Sequence, residues 1–275
     1  MIQVLQLGTV TYADGLALQN RLIELRKGNV IGDVLLLLEH PPVITLGRNA
    51  QRANLLCTPE QLQARGVEVY DCDRGGDVTF HGPGQLVGYP IFDLRGLKSP
   101  DGKKTLGAVD YVRRLEEVLI RTCADFGIAG ERISGLTGVW TRGLQAEAPD
   151  RAIAPLARDP EEHNPAKIAA IGVHISRGVT SHGFALNVNT DLDYFKLIVP
   201  CGIASKPVTS MSKETGGAVP MNEVAEAVAR NFGRVFSSQV LWLESLDALL
   251  PKVGVPMKPP PELRKLRGDE DNFSA

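Results

Sequence analysis

A cysteine stands between a proline and a glycine in Ile198-Val199-Pro200-Cys201-Gly202-Ile203. A thiol in such a turn is presented rigidly, and its thiolate is a nucleophile. Two readings stay open from these residues alone. Cys201 is a reactive thiol with the amides of Gly202 and Ile203 as oxyanion donors, or it is an inert thiol in a turn at the end of a strand-like run. Cys123 has a different setting, on the apolar face of a helical pattern, where a thiol behaves as a small hydrophobe. Lys167 heads Lys167-Ile168-Ala169-Ala170-Ile171-Gly172-Val173. It is either a solvated strand-edge lysine or a lysine turned into an apolar cleft, where desolvation favours the neutral, proton-accepting amine.

Two further segments have the composition of a binding wall. Arg74-Gly75-Gly76-Asp77-Val78-Thr79-Phe80-His81-Gly82-Pro83-Gly84-Gln85-Leu86 combines paired glycines, a rigid Gly-Pro-Gly turn, an arginine and a histidine. Paired glycines allow positive φ and close approach of backbone to a ligand. The spacing is neither a phosphate loop nor a dinucleotide fingerprint. In Ser181-His182-Gly183-Phe184-Ala185-Leu186-Asn187, the small Gly183 and Ala185 leave room on one strand face. His182 is a base or a hydrogen-bonded structural histidine. His40, before Pro41-Pro42, reads as structural. The five histidines are scattered without metal-ligand spacing, so no metal or other cofactor is expected.

The elements that must position these residues alternate between strands and helices. Strands are expected at 1–7, 33–39, 43–46, 67–71 and 86–92, with a helix over 12–27 and another from Thr58-Pro59 to Gly66. A long helix is expected over 105–126. Val109, Val112, Leu115, Leu119, Cys123 and Phe126 share its apolar face, and Glu116 lies off that face. A second long helix is expected over 220–236, with β segments near 138–141, 167–175 and 183–188. The series is not a strict βαβ repeat, so the fold class is α/β of the α+β kind: a mixed sheet with flanking helices. Residues 1–250 are read as a single domain. An inserted surface loop is expected at 143–165 and a tail at 251–275.

Length and charge bound the rest. The 275 residues carry a formal net charge of −2 and are 43% hydrophobic. That is enough for a substantial core, with no overall basic field for nucleic acid. No apolar run approaches the roughly 20 residues that span a bilayer. The opening Met1-Ile2-Gln3-Val4-Leu5 lacks a basic leader, so a strand is expected there rather than a targeting segment. Four cysteines without a C-x-x-C pair suit a reduced, cytoplasmic protein.

Taken in order, Arg74-Gly75-Gly76, Thr79-Phe80-His81-Gly82-Pro83-Gly84-Gln85-Leu86, Lys167 with Ala170-Ile171-Gly172, His182-Gly183 with Leu186-Asn187, and Pro200-Cys201-Gly202 resemble the lipoyl(octanoyl) transferase family over roughly residues 1–217. The resemblance implies a fold related to the catalytic domains of lipoate and biotin protein ligases. It implies octanoyl transfer from octanoyl-acyl carrier protein to the lysine of lipoyl domains, as in 2-oxoacid dehydrogenases and the glycine cleavage H protein. This is the first step of protein-bound lipoate synthesis, with neither nucleic acid nor membrane as a partner. Its catalytic pair falls on Cys201 and Lys167, through a Cys201 thioester. Its substrate-binding segments fall on Arg74, Gly75, Gly76, Asp77, Val78, Thr79, Phe80 and His81; on Ala170, Ile171 and Gly172; and on Gly183, Phe184 and Ala185. Two rivals remain. An ATP-dependent ligase on the same fold would not need Cys201, and Arg74-Gly75-Gly76-Asp77 places an acid where a biotin ligase is basic. A non-catalytic acyl-binding protein would form no adduct.

Overall fold

The computed structural model describes residues 1–98, 102, 105–142, 165–202 and 206–249, with residue 201 by its main chain. In chain order the elements are β1 (Ile2–Thr9), α1 (Tyr12–Lys27), β2 (Asp33–Glu39), β3 (Val43–Leu46), α2 (Pro59–Ala64), β4 (Glu68–Asp71), β5 (Val78–His81), β6 (Gln85–Ile91), α3 (Ala108–Asp125), β7 (Gly130–Ile133), β8 (Leu136–Thr141), β9 (Ala166–Ser176), β10 (Val179–Asn187), α4 (Met211–Thr215), α5 (Met221–Val235) and β11 (Val240–Trp242). The expected tail, and the expected insertion apart from Pro165, fall outside the described residues.

Among the described residues the strands form two sheets. The larger has the order β11-β1-β2-β6-β10-β9-β8-β7 and the smaller β4-β3-β5. Both are mixed: β1 runs parallel to β2 and β11, and β3 runs parallel to β4. The remaining pairs are antiparallel. This is the expected α+β arrangement.

Side-chain alternation on β2 shows why the large sheet is covered twice. Leu35 and Leu37 join Leu115 and Leu119 of α3 and Val228 and Phe232 of α5 in one core. Val34, Leu36 and Leu38 join Leu18 and Leu22 of α1 in another. A strand buried on both faces reads as a continuous apolar run, as β2 does. The small sheet has its own core, in which Ile44, Val78 and Phe80 pack with Leu62, Phe195 and Ile198. Local signals fix the helix starts. Thr11 accepts the Asp14 amide at the head of α1, and Thr58 and Gln61 form a capping box before α2, with Pro59 in its first turn.

Helix α3 departs from expectation. It begins at Ala108, with Gly107 as its cap, rather than near residue 105. Val109 is 72% exposed, whereas Tyr111, Leu115, Val118, Leu119 and Cys123 are buried. Glu116 is fully buried. Its carboxylate accepts from Arg113 (2.7 Å) and Arg132 (3.1 Å) and from the Gly138 amide (3.2 Å). A paired carboxylate can be buried where a lone one cannot. The run before Cys201 also differs: it is not a strand. Asp191 caps a 3-10 helix over Leu192–Leu197, and Pro200–Gly202 forms a second 3-10 turn. No helix of the described residues is long and apolar enough to cross a membrane.

Candidate functional site

A cavity lies where the small sheet meets the α1-covered face of the large one. Arg74, Gly75, Gly76 and Asp77 border it from the β4–β5 loop, and Thr79 and His81 from β5. Val87 and Tyr89 come from β6, and Tyr12 from α1. Ala170, Ile171 and Gly172 come from β9, and His182, Gly183, Phe184 and Ala185 from β10. Three segments far apart in sequence, singled out above, therefore share one space. Val78 and Phe80 do not join them. Strand alternation turns both into the small sheet's core, where Phe80 stacks on Tyr194 at 4.7 Å between centroids. Phe184 borders the cavity, but its ring packs on Phe232 at 6.1 Å.

The glycines have distinct causes. A side chain on Gly172 would place Cβ 2.7 Å from the Gly75 carbonyl oxygen. The Gly75 amide in turn donates to Val173 O at 3.0 Å. Glycine therefore lets the loop seat directly on β9. At Gly183, a Cβ would fall 2.2 Å from the Gly88 carbonyl oxygen of β6. Glycine at 183 thus lets β10 lie close against β6, and the room expected beside these small residues is the cavity that Gly183 and Ala185 border.

Arg74 is only 7% exposed, and its guanidinium is occupied by the chain itself. Nε and Nη2 donate to Thr45 Oγ1 (3.1 and 2.9 Å), Nη2 to Thr45 O (2.6 Å) and Nη1 to Gly75 O (3.1 Å). It holds the loop and supplies positive charge beside His81. Burial is the main cause that pushes His81 down to about 3, helped by the charges of His40 and Arg74 and opposed by its hydrogen bond to Gln85. His81 is thus neutral near pH 7. Gln85 Nε2 donates to Phe80 O and Asn187 Oδ1, so Gln85 Oε1 accepts from His81 Nδ1–H at 2.8 Å. His81 Nε2 then carries the lone pair. His40 is structural, as expected: it bridges Val10 O (2.6 Å) and the Tyr89 hydroxyl (2.7 Å), and burial pushes it down to about 4. The same burial raises the Tyr89 and Tyr12 phenols far above their ordinary range.

His182 takes a left-handed backbone (φ +55°) inside β10. Its amide donates to Gln19 Oε1 at 2.8 Å, and its Nε2 meets Asp73 Oδ1 at 2.6 Å. Burial lowers the imidazole below its usual range, against the opposing pull of Asp73. Burial works to raise the Asp73 carboxyl, but the hydrogen bond and charge of His182, with His174, outweigh it and hold Asp73 low. The pair ties the residue before Arg74 to β10.

Lys167 is 6% exposed, so the strand-edge reading fails. Its amide donates to Pro207 O (2.8 Å), its carbonyl accepts from Thr209 N (2.9 Å), and Nζ stands 4.7 Å from the Trp140 ring centroid. That is within cation–π range. Lys167 and Pro200, the residue before Cys201, border a second small space with Gln85, Asn187, Phe195 and Val208. Thr79, Ala170 and Ala185 border both spaces. The Gly202 amide is already engaged by Val199 O at 3.1 Å, so it is not a free oxyanion donor; Ile203 lies outside the described residues. Cys123 is buried, and that burial pushes its thiol up to about 12, the inert setting expected. Among the described residues no three His, Cys, Asp or Glu side chains converge as a metal set.

Sequence reasoning missed Tyr12, Tyr89 and Trp140. Tyr89 had a signal, since it alternates with Val87 on a strand that was expected. Tyr12 and Trp140 had none beyond their aromatic rings.

A fold of mixed sheet and flanking helices, with this loop seated over β9 and β10, defines a class. The model of the lipoyl protein ligase A/B catalytic domain matches residues 11–233. An octanoyltransferase of Koribacter versatilis is 58% identical over 98% of each chain. One of Acidobacterium capsulatum is 55% identical over 92% of this chain and 97% of its own. Among solved structures, a lipoate-protein ligase A bound with ATP superposes with a TM-score of 0.60 at 16% identity, covering 89% of this chain and 87% of its own. P. falciparum LipL1 in complex with lipoate gives 0.62 at 13%, covering 100% and 76%. At such identities these two show the fold alone. The chain belongs to the lipoyl protein ligase A/B catalytic domain family and, within it, to the lipoyl(octanoyl) transferases.

Proposed function

We propose that the protein moves an octanoyl group from octanoyl-acyl carrier protein, through a Cys201 thioester, to the lysine of lipoyl domains. The observation that supports this reading is the adjacency of two spaces: one bordered by buried Lys167 and by Pro200, the other by Arg74, Gly75, Gly76, Asp77, Thr79 and His81, with Thr79, Ala170 and Ala185 bordering both. The Cys201 thiolate attacks the carrier thioester. The carbonyl–sulfur bond to the carrier breaks, and the carrier sulfur leaves as a thiol with the proton that the Cys201 thiol had given to Lys167. The target lysine, once deprotonated, attacks the Cys201 thioester and releases the thiolate. Lys167 accepts the proton that lysine gives up, while His81, held neutral in the adjoining wall, is too weak a base to take that part and offers only a hydrogen-bond acceptor. Thioester to amide is downhill, so no ATP is consumed. About six methylenes at roughly 0.8 kcal/mol each give the octanoyl tail about 5 kcal/mol of burial.

Intact-protein mass measurement after mixing with octanoyl-acyl carrier protein, followed by addition of a lipoyl domain, tests the scheme. An octanoyl adduct should form and then pass to the domain. Cys201→Ala should form none. An undiminished adduct in that variant sinks the assignment, and transfer that depends on ATP favours a ligase instead.

A further inference from the structure

We infer that Asn54 and Asp77 act together as positioning residues for the turn that carries Cys201; the inference rests on the nucleophile assignment above. Asn54 ends a short 3-10 turn, Arg52–Asn54, on the strand-to-helix connection between β3 and α2. Its main chain and its side chain reach different partners. The carbonyl accepts the Val199 amide at 2.7 Å, two residues before Cys201. The side-chain amide donates to Asp77 Oδ2 at 2.5 Å. Asp77 Oδ1 accepts the amides of Gln51 (3.0 Å) and Val78 (2.8 Å). Both carboxylate oxygens are therefore committed to the protein, although Asp77 borders the cavity. Hydrogen bonds to a charged acceptor are about twice as strong as neutral ones.

The other side of the turn closes on the same pair. Gly202 has φ +69°, and a Cβ there would lie 2.8 Å from Asp77 Oδ2 and 3.5 Å from Asn54 Nδ2. The residues on both sides of Cys201 thus lie against Asn54 and Asp77: Val199 by its hydrogen bond to the Asn54 main-chain carbonyl, and Gly202 at a place where any side chain would meet the Asp77 carboxylate. The neighbouring Leu56 amide also donates to Leu197 O (2.8 Å), and Leu55 bridges Ile198. These bonds hold the approach to the turn without involving either side chain. What the Asn54–Asp77 pair adds is the height and angle of the turn itself. Misplacing a reacting group by about 1 Å costs on the order of 100-fold in rate.

A polarity swap tests this. Asn54→Asp sets two carboxylates face to face. Adding Asp77→Asn restores a donor–acceptor pair with its direction reversed, while Oδ1 of the new amide still accepts from Gln51 and Val78. Acylation by octanoyl-acyl carrier protein is followed by mass, with the adduct mapped to its peptide. Asn54→Asp should lower the acylation rate at saturating donor on the order of 10- to 100-fold. The donor concentration at half-saturation should stay unchanged, and alkylation of Cys201 by a small thiol reagent should change in parallel. The double variant should return to within about threefold of the parent. Asn54→Ala, which removes the donor without adding charge, serves if Asn54→Asp does not fold, and should show the same rate loss. Parent-like acylation in the folded single variants overturns the inference, as does a folded double variant no better than Asn54→Asp. An adduct in the parent protein mapping to another residue overturns the nucleophile assignment instead.

Discussion

The two faces of the large sheet are built from the same strands and do different work. On the α3–α5 face, leucines, valines and phenylalanines fill the space. The few polar groups there are paired within it: Glu116 with two arginines, and Asn231 with Thr122 and Asp125. The α1 face gathers Tyr12, His81, Tyr89, Arg74, His182 and Lys167, and leaves two spaces open. One face is packed apolar; the other sets polar side chains around a gap, most of them hydrogen-bonded, as Arg74, His81 and His182 are, with the buried Tyr12 hydroxyl unpartnered among the described residues. Substitutions should therefore separate cleanly into losses of stability and losses of rate.

The largest effect is expected at Lys167. Lys167→Ala should slow transfer by about 10²- to 10⁴-fold, with the thermal unfolding transition still cooperative. Full activity in that variant would remove the lysine from the chemistry and leave the open face without its reactive centre. On the packed face, Leu115 is fully buried. Leu115→Ala should cost about 2–5 kcal/mol in denaturant titrations, while the folded fraction acylates at the parent rate. A rate loss larger than the unfolded fraction explains would show that the two faces are coupled.

The smallest effect sharpens the comparison through pH. His40 is pushed down to about 4 in the folded protein, against about 6.5 in the unfolded chain. Between those values the unfolded chain binds the extra proton, so stability is complete above pH 6.5 and falls as pH drops toward 4. The loss at pH 5 is roughly 2 kcal/mol. His81, lowered further, adds in the same direction. Urea titrations at pH 7 and pH 5 should show this drop, and His40→Gln should remove the His40 share of it and leave that of His81. An equal slope in the variant would assign the acid sensitivity elsewhere.

Much of this contrast was legible in the sequence. Helix α1 and strands β2 and β3 lie where spacing put them, because their apolar patterns and caps are local. Burial of Glu116 was not legible, because it depends on Arg132 and Gly138, which arrive from a different hairpin. Strand β5 was hidden among glycines. Once it is recognised, period-two alternation separates Thr79 and His81 from Val78 and Phe80. The residues of the candidate pair were named by the ordered motifs. Local context left Cys201 and Lys167 ambiguous, and Lys167 is flanked by Trp140 of β8 on one side and by the segment 207–209 on the other, both remote in sequence. Nothing in the sequence marked Asn54, whose importance is a matter of who its neighbours are.

The anchoring of Lys167 to Pro207 and Thr209, and of Val199 to Asn54, has a kinetic meaning. Each bond joins segments remote in the chain, and remote contacts form late because they close large loops. The neighbourhood of Lys167 and Pro200 therefore exists only once these remote segments have met. A nascent or half-collapsed chain lacks it and has no means of taking up an acyl group. On the thioester scheme proposed above, uptake of an acyl group then reports that these remote segments have come together.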